Sequence, residues 1–397
     1  MKKTLSVFLA LMMAISCFAG FGMEAFAANG WQKETGSYED EGVTYTYTYW
    51  VYYKNGECVT GWQKINGKWY FFYGDGENLR DSDYWDEKDN HYYFDANGVM
   101  RTGWYNDKGT SEYYDEEEDE WVPFSYNDWY YLDPSSGKAV KGWKKINNKW
   151  YYFDVYDGAM VSDIALPIGD DVYCFDKSGA MVAGGWFKET YAWDDEDGTH
   201  NSYDYWYYTT SSGKCLTGWQ KISGKWYYFD KEYATMYANG GYQIGNATYC
   251  FNKSGAMVTS GWYNEKESWT NEDGTIGSYS FWYYISASNN KALTGWQKIS
   301  GKWYYFEKEY ATMVTGWQKI GGKWYYFNGS GAMQSGWKKL GGKWYYFNAS
   351  GAMVSGWLKL TGSWYYFNNS GAMLANTSQK IGSKTYKFNA SGVCTNP

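Results

Sequence analysis

The sequence has few of the residues on which enzymes and metal sites depend. Its 397 residues include 2 His and 6 Cys, and the two histidines, His91 and His200, lie in unrelated repeat contexts. No Gly-rich phosphate loop, nucleophile elbow or metal-spaced Cys/His cluster occurs in it. The sequence therefore predicts a protein that is not an enzyme and holds no metal or cofactor. Both histidines are expected at the surface.

Excess positive charge and long apolar runs are also lacking. The formal net charge of −8 argues against a nucleic-acid partner, because Lys and Arg must neutralise the phosphates. One apolar run, from Leu5 to about Phe21, follows two lysines and precedes Ala25-Phe26-Ala27, a pattern typical of a cleaved signal peptide over residues 1–27. With no second long apolar stretch, we expect a secreted mature chain without a transmembrane segment.

Proline is scarce, with 4 residues, whereas the chain has 26 Trp and 46 Tyr. The clearest aromatic pattern, residues 294–373, contains four copies of one unit: TGWQKISGKWYYFEKEYATM, VTGWQKIGGKWYYFNGSGAM, QSGWKKLGGKWYYFNASGAM and VSGWLKLTGSWYYFNNSGAM. A period of about twenty residues is typical of repeat architectures.

Each copy predicts one β-hairpin. In the earlier copy GWQKINGKWYFF, Asn66-Gly67 is a two-residue turn signal. This turn places Trp62 opposite Phe71. Because side chains alternate along a strand, the residues separate into two faces: Trp62, Trp69 and Phe71 on one, and Ile65, Tyr70 and Phe72 on the other.

Modified copies fill the rest of the chain. A lone hairpin is marginally stable in water, so the units are expected to stack into an all-β solenoid of about fifteen hairpins, four of them elongated. The elongated ones begin at Trp31, Trp104, Trp186 and Trp262. After the signal peptide we predict three long/regular/degenerate triplets (28–261), a fourth long hairpin (262–294), regular repeats (295–376) and a capping hairpin (377–397).

Five cysteines remain once Cys17 leaves with the signal peptide, and they occupy repeat positions that elsewhere hold Met (Cys58, Cys215 and Cys394) or Tyr (Cys174 and Cys250). An odd number cannot all pair within one chain. We interpret them as small apolar substitutes; a disulfide framework is the alternative.

The degenerate units indicate which face is structural. They keep the Ile/Tyr/Phe set, as Ile168/Tyr173/Phe175, Ile244/Tyr249/Phe251 and Ile381/Tyr386/Phe388. They lose the Trp/Trp/Tyr set, which becomes Ala165/Val172/Cys174, Gly241/Thr248/Cys250 and Ser378/Thr385/Lys387. We interpret the first set as core and the second as a ligand-facing surface. The alternative is that the Trp face is also core.

Rows of Trp and Tyr with intervening Met suit two kinds of ligand. Aromatic cages hold a quaternary ammonium through cation–π attraction, and aromatic faces equally stack on sugar rings. The pattern alone does not choose between them.

The unit GWxKxxGKWYYFxxxGxM resembles the choline-binding, or cell-wall-binding, repeats of Gram-positive surface proteins, to which glucan-binding and clostridial toxin repeats are related. The resemblance implies sites built from both Trp of one hairpin and the second Tyr of the next, with a Met nearby. Carried over, the sites are Trp296/Trp303/Tyr326, Trp317/Trp324/Tyr346, Trp337/Trp344/Tyr366 and Trp62/Trp69/Tyr93, with Met313, Met333 and Met353.

The same rule gives further candidates in the long hairpins, where the sequence leaves the strand register open: Trp104/Trp129/Tyr152, Trp186/Trp206/Tyr228 and Trp262/Trp282/Tyr305. It gives weak or absent sites where the third residue is not aromatic: Trp143/Trp150 with Cys174, Trp219/Trp226 with Cys250, and Trp357/Trp364 with Lys387.

Acidic tips mark the long hairpins, at residues 39–42, 115–120, 194–198 and 271–274. They lack the ordered ligand spacing of a calcium loop, so we interpret them as solvated turns. Their recurrence also fits a second interaction surface.

The sequence thus predicts a secreted, cell-wall-associated or extracellular binding protein whose partner is a choline-substituted cell-wall polymer. A carbohydrate-binding solenoid for glucan or host glycans is the first alternative. An adhesin that binds a host protein through the long hairpins is the second.

Overall fold

The structure, a computed structural model, describes residues 29–40, 42–115, 120–194, 200–270 and 275–397. The predicted signal peptide lies outside the described residues. So do residues 41, 116–119, 195–199 and 271–274, which make up most of the acidic tips.

The regular structure of these ranges is β-strand, and no helix occurs among them. The strands of the first half are β1 (Gly30–Asp40), β2 (Val43–Lys54), β3 (Glu57–Cys58), β4 (Gly61–Ile65), β5 (Lys68–Phe72), β6 (Asp83–Trp85), β7 (His91–Tyr93), β8 (Gly103–Asp115), β9 (Glu120–Leu132), β10 (Gly142–Ile146), β11 (Lys149–Phe153), β12 (Ile164–Ile168) and β13 (Asp171–Phe175). Those of the second half are β14 (Gly185–Asp194), β15 (His200–Thr209), β16 (Gly218–Ile222), β17 (Lys225–Phe229), β18 (Gly240–Ile244), β19 (Ala247–Phe251), β20 (Gly261–Thr270), β21 (Ile276–Ile285), β22 (Gly295–Ile299), β23 (Lys302–Phe306), β24 (Gly316–Ile320), β25 (Lys323–Phe327), β26 (Gly336–Leu340), β27 (Lys343–Phe347), β28 (Gly356–Leu360), β29 (Ser363–Phe367), β30 (Thr377–Ile381) and β31 (Lys384–Phe388).

Each strand pairs with its neighbour in sequence. The first sheet joins β1, β2 and β3, and the other fourteen sheets are two-stranded hairpins. The predicted all-β fold of about fifteen hairpins is confirmed, and so are the four elongated hairpins β1–β2, β8–β9, β14–β15 and β20–β21.

Two-residue turns set the register of the short hairpins. Asn66 (φ 50°) and Gly67 (φ 81°) are both left-handed, as a type I′ turn requires. Trp62 consequently pairs with Phe71, as predicted. The same register recurs in β22–β23, where Trp296 pairs with Tyr305.

The chain forms two compact units. The first ends at Glu189 and also includes Tyr208–Cys215; the second contains Thr190–Tyr207 and Leu216–Pro397. The division into repeat segments proposed from the sequence stays a prediction.

Phenylalanines that end the return strands form the core within each unit. In the second unit Phe306, Phe327, Phe347 and Phe367 are fully buried. Ile299 and Tyr304 pack with Phe306 in one buried cluster. The predicted core role of the Ile/Tyr/Phe face is therefore confirmed for this hairpin.

Loops tie one hairpin to another. The Met333 N–H, in the loop after β24–β25, donates to the Trp303 carbonyl of β22–β23, 2.8 Å away. The Met333 side chain fills the space beside Gly351 in the following loop, where an added Cβ would overlap its sulfur. The Gly-x-Met spacing is thus a packing motif that links consecutive loops.

The two histidines differ. His200 is exposed and lies 2.7 Å from Asp194, as expected of a surface residue. The prediction is wrong for His91, which is 4% exposed. Its Nε2 lies 2.9 Å from the Asp83 carboxylate, and its ring stacks on Trp85 at 4.0 Å. In this short degenerate hairpin, the imidazole fills a position inside the aromatic stack.

No disulfide joins the five cysteines of the described residues, and Cys174, Cys250 and Cys394 are buried. Burial of these three agrees with their interpretation as small apolar substitutes.

Candidate aromatic binding site

Perpendicular tryptophan pairs are the repeated feature of the surface. Trp296 and Trp303 lie on one face of their hairpin, with ring centroids 6.4 Å apart and planes at 84°. Trp317/Trp324 (6.4 Å, 84°) and Trp337/Trp344 (6.2 Å, 87°) repeat this geometry. The second Trp stays open to solvent, with Trp303 41% exposed. Each pair forms a corner of two indole faces.

The first Trp of each pair is also part of the hairpin stack. Trp296 contacts Tyr325 and Phe327 of the following hairpin, at 4.8 and 5.7 Å between ring centroids. The face of one hairpin that carries Trp therefore packs on the Tyr/Phe face of the next. The interpretation of the Trp face as a ligand-facing surface outside the core is therefore wrong for the first Trp of the pair, which packs against the next hairpin. It agrees with the exposure of the second Trp.

The tyrosine of the next hairpin that contacts Trp296 is Tyr325, whereas the residue named for the binding site is Tyr326. Tyr326 has its ring contacts with Trp317 of its own hairpin, at 5.3 Å, and with Phe347, at 6.4 Å. Strand alternation is the reason, because Tyr325 points back towards Trp296 and Tyr326 points forward. Within the described ranges, the triads with Tyr326, Tyr346 and Tyr366 have no direct ring contact between the Trp pair and that tyrosine. These triads stay predictions.

Trp344 and Tyr366 show the same arrangement. Trp344 is exposed, and among the described residues its ring contact is with Trp337 of its own hairpin. The third residue predicted for Trp344 is Tyr366, which instead contacts Trp357 of its own hairpin at 5.1 Å and Phe388 at 6.5 Å. The predicted grouping of Trp344 with Tyr366 is therefore not formed by direct contact between their rings.

The methionine beside Trp344 was also not among those predicted. The Met373 N–H donates to the Trp344 carbonyl at 2.8 Å, just as the Met353 N–H donates to the Trp324 carbonyl at 2.7 Å. The predicted set of Met313, Met333 and Met353 therefore does not include Met373, the backbone hydrogen-bond partner of Trp344, which lies in the next loop. Each loop bonds to the hairpin that precedes its own, and this displacement is a property of the stack that the sequence did not reveal.

Tyr93 is a clear departure from the predicted sites. It is 4% exposed and packs on Tyr105 and Tyr130, at 4.5 and 5.0 Å. Trp62 instead contacts Tyr92, at 4.7 Å. The Trp62/Trp69 corner is present, at 6.4 Å, but Tyr93 is buried on the other side of its hairpin and does not line it.

The long hairpins have the same corners. Trp104 and Trp129 lie 6.5 Å apart, and Trp262 and Trp282 lie 6.2 Å apart, in a register that the sequence did not reveal. The proposed third residues Tyr152 and Tyr305 contact the Trp of their own hairpins. The remaining triad divides between the two units: Trp186 belongs to the first, and Trp206 and Tyr228 belong to the second.

The hairpins predicted to bind weakly also keep their Trp corners, at 6.2 to 6.4 Å: Trp143/Trp150, Trp219/Trp226 and Trp357/Trp364. Their third positions differ from the regular units. Cys174 and Cys250 are fully buried, whereas Lys387 is exposed. None of these three side chains adds an aromatic wall.

The methionines expected beside a ligand are half-buried packing residues. An added Cβ at Gly331, Gly351 or Gly371 would overlap the sulfur of Met313, Met333 or Met353, respectively. Met313 also packs against the cluster that contains Phe306. Their partial exposure leaves room for a secondary contact with a ligand.

Sequence reasoning missed a cation that already lies on an aromatic pair. The Arg80 guanidinium carbon is 4.7 Å from the Trp50 ring centroid and 5.4 Å from that of Trp31. Burial lowers the pKa of Arg80 below its usual value. The chain has two arginines, and that rarity was the available signal. Lysines also lie over the second Trp of four hairpins, at 5.6 to 5.9 Å: Lys64, Lys145, Lys221 and Lys359.

The described residues contain no group of three or more His, Cys, Asp or Glu side chains placed to hold a metal ion. No helix long and apolar enough to cross a membrane was found in the same part of the chain.

Family comparisons match the repeats. The Choline-binding repeat family matches residues 140–186, 216–262, 293–335 and 334–378. The family described as Putative cell wall binding repeat matches residues 60–77 and 86–100. These segments contain most of the Trp corners described above.

Two curated relatives are streptococcal glucosyltransferases. Glucosyltransferase-S of Streptococcus mutans serotype c is 27% identical over 334 residues, which cover 71% of this chain and 21% of the relative. Glucosyltransferase-I of Streptococcus downei is 26% identical over 371 residues, covering 72% and 22%. The chain thus spans about a fifth of the length of these relatives.

Similar solved structures come from Streptococcus pneumoniae. CbpJ is 26% identical, with 92% of this chain and 100% of that chain covered, at a TM-score of 0.25. Choline binding protein F, solved in the presence of a peptidoglycan analogue, is 26% identical, with 88% and 96% covered, at 0.25. The modular autolysin LytC, solved with a synthetic peptidoglycan ligand, is 27% identical, with 66% and 52% covered, at 0.30.

Proposed function

The chain belongs to the choline-binding repeat family of Gram-positive surface proteins, and from this premise we propose that it binds choline-bearing cell-wall polymers such as teichoic acids non-covalently. In this proposal it is a secreted, non-enzymatic protein, and each choline headgroup lies against a Trp corner between successive hairpins.

The perpendicular Trp corner is the observation that carries the proposal. Trp296/Trp303, Trp317/Trp324 and Trp337/Trp344 present it three times in succession, each with its second Trp open to solvent. A quaternary ammonium cannot donate a hydrogen bond, so the negative faces of indole rings are suitable partners, worth roughly 0.5–2 kcal/mol per ring. Arg80 supports this chemistry, because its guanidinium lies on the Trp31 and Trp50 rings.

Repetition compensates for the weakness of one site. A polymer that carries many choline groups can engage several corners together, and the second contact forms at a high effective concentration. Free choline should therefore bind weakly at each site and yet release the protein from a polymer when present in excess.

Retention on a choline or tertiary-amine resin tests the proposal. We expect the full chain to be retained at low and at high salt and to elute with free choline. The variant for comparison is Trp303→Ala/Trp324→Ala/Trp344→Ala. It should elute earlier than the parent because it lacks the exposed Trp of three corners. Passage of the folded parent protein through the resin at low salt would rule the proposal out.

A carbohydrate ligand is the second candidate, favoured by the aromatic residues exposed along the long hairpins. Trp121 is 57% exposed, and Tyr113 and Phe124 on the same hairpin are also exposed. A glycan array probed with and without choline distinguishes the two, because choline should not displace the protein from a sugar bound at this separate surface.

The same exposed hairpin would serve an adhesin that binds a host protein. Deletion of residues 112–126 should then abolish host-protein binding while leaving resin retention unchanged.

A further inference from the structure

We propose that the Trp31/Trp50 pair is a cation site already filled by the chain's own Arg80, and that it takes no choline while Arg80 is in place. The inference builds on the proposed function, because it treats this pair as one of the same aromatic sites. It makes Arg80 a residue that determines which of the repeated sites are available.

The register identifies Trp31 and Trp50 as a repeat pair. Trp31 lies opposite Tyr52, and Lys33 lies opposite Trp50. The regular hairpin has the same arrangement, with Trp296 opposite Tyr305 and Lys298 opposite Trp303. Trp31 also packs on the following hairpin as Trp296 does, with Tyr70 at 5.0 Å and Phe72 at 5.6 Å.

The loop that carries Arg80 is held in the position of the regular loops. The Asn78 N–H donates to the Trp50 carbonyl at 2.7 Å, which is the bond that Met333 makes to Trp303. Asn78 thus replaces the methionine of the regular unit. Its Oδ1 accepts from Arg80 Nε at 2.9 Å, and its Nδ2 donates to the Phe71 carbonyl at 3.0 Å. These bonds aim the Arg80 side chain at the Trp pair.

Aromatic faces are the main partners of this guanidinium. Within the described ranges, no carboxylate forms an ion pair with Arg80 at 4 Å or less. Trp31 and Trp50 also have no direct ring contact there, in contrast with Trp62 and Trp69 at 6.4 Å. The guanidinium therefore lies between the Trp31 and Trp50 rings, whereas the corresponding rings Trp62 and Trp69 of the next hairpin contact each other. A choline headgroup would be excluded sterically by the Arg80 side chain and repelled by its positive charge.

Nuclear magnetic resonance tests whether Arg80 occupies the Trp31/Trp50 pair, and it needs no added ligand. Because the chain has two arginines, labelling with ¹⁵N-arginine gives two side-chain Nε–H signals, which Arg80→Lys and Arg101→Lys assign. We expect the Arg80 signal to be shifted by the Trp ring currents and Trp50→Ala to remove that shift. A signal at the position of an unfolded arginine, or one that Trp50→Ala leaves in place, would overturn the proposal.

Choline stoichiometry tests the consequence. In calorimetry, Arg80→Met should bind one more choline per chain than the parent, and the double variant Arg80→Met/Trp50→Ala should return to the parent value. Arg101→Met is the matched control, because within the described residues the Arg101 guanidinium carbon lies over the Tyr105 ring, at 4.9 Å, and not over a Trp ring. Unchanged stoichiometry in folded Arg80→Met would contradict the inference. If the parent itself binds no choline, the proposed function fails, and the arginine signals still decide the occupant of Trp31/Trp50.

An independent observation carries a second inference: we propose that Cys174 and Cys215 form an intramolecular disulfide when a small disulfide such as oxidised glutathione is available. Their sulfurs lie 3.2 Å apart. The Cys215 N–H donates to the Val172 carbonyl at 2.8 Å, and the Lys214 and Asp171 side chains form an ion pair at 2.6 Å. Backbone and side-chain contacts thus hold the thiols face to face.

The two cysteines replace larger residues at positions that meet in the repeat. Cys174 occupies a Tyr position and Cys215 a Met position. In the next degenerate unit, Cys250 packs against Ala292 instead. Within the described residues, Cys174 and Cys215 both replace larger residues, and their sulfurs lie within contact distance of each other.

The reaction balances with oxidised glutathione. Two S–H bonds of the protein break and one S–S bond forms, while the glutathione disulfide accepts two electrons and two protons to give two glutathione thiols. The hydrogen bond with Cys215 and burial raise the pKa of the Cys174 thiol, so formation should be faster at higher pH.

Thiol counting by mass spectrometry tests the bond. After incubation with oxidised glutathione, unfolding and alkylation, we expect the loss of two alkylation sites and a linked pair of peptides containing Cys174 and Cys215. Cys250→Ser should preserve the link and Cys215→Ser should abolish it. Full alkylation of Cys174 and Cys215, or only glutathione adducts on them, would overturn the inference.

Discussion

The indole of Trp296 lies 4.8 Å from the ring of Tyr325 in the following hairpin, with the planes at 65°. The same Trp296 forms a corner with Trp303, which has no such contact with the next hairpin among the described residues. One tryptophan of the pair therefore serves both the stack and the proposed site, and the other serves the proposed site alone.

Replacing these two residues should separate stability from binding. Trp303→Ala should weaken choline binding and change the unfolding free energy by about 1 kcal/mol or less, as is usual for exposed positions. Trp296→Ala should weaken binding and also destabilise the second unit by about 3 kcal/mol, because it leaves a cavity beside Tyr325 and Phe327. Urea unfolding and choline titration of both variants measure the two effects; equal destabilisation would contradict the assignment.

A glycine substitution tests the contact between loops. Gly351 has a φ of +79°, and a Cβ there would overlap the Met333 sulfur. We expect Gly351→Ala to destabilise by roughly 2–4 kcal/mol, the sum of a left-handed backbone cost and overpacking. Gly329→Ala is the matched control, because its φ lies outside the left-handed region and its Cβ would meet open space. Similar melting temperatures for the two variants would argue against the packing role.

The stack was predictable from the sequence because turn residues and alternation act locally. Asn66-Gly67 determines which residues of one hairpin face each other, and this register holds throughout the regular units. The direction in which a hairpin packs depends on contacts with its neighbours. For this reason the sequence did not reveal that Tyr325, and not Tyr326, contacts Trp296.

Local substitutions account for the other departures. His91 is buried because Trp85 and Asp83 in its own short hairpin give the imidazole a stacking and a hydrogen-bonding partner. Arg80 reaches Trp31 because Asn78 replaces a methionine and orients it. Single replacements of this kind do not alter the repeat pattern, so periodicity cannot indicate them.

Acid should weaken a turn of the first unit. The Asp133 carboxylate accepts hydrogen bonds from Ser135 and Ser136, which lower its pKa to about 2. Because the folded pKa lies below the unfolded value, the stabilisation is present above pH of about 4 and is lost as the pH falls towards 2.

Asn328 makes the equivalent turn in the second unit without a charge. Asp133→Asn should therefore retain the turn and show a smaller drop in melting temperature between pH 5 and pH 2 than the parent. An identical drop would mean that this carboxylate does not contribute.

Trp corners with and without a third aromatic residue should differ in choline binding. Trp324 is followed in the next hairpin by Tyr346, whereas the corresponding position after Trp226 is the fully buried Cys250. Both Trp residues are exposed to the same extent, 41%, and both corners measure 6.4 Å. Trp324→Ala should therefore lower the choline stoichiometry by one, and Trp226→Ala should leave it unchanged, although the two changes remove equal aromatic surface. Calorimetry on the two folded variants decides the matter. Equal losses would mean that the Trp corner suffices for binding, and the predicted third residue would then have no role.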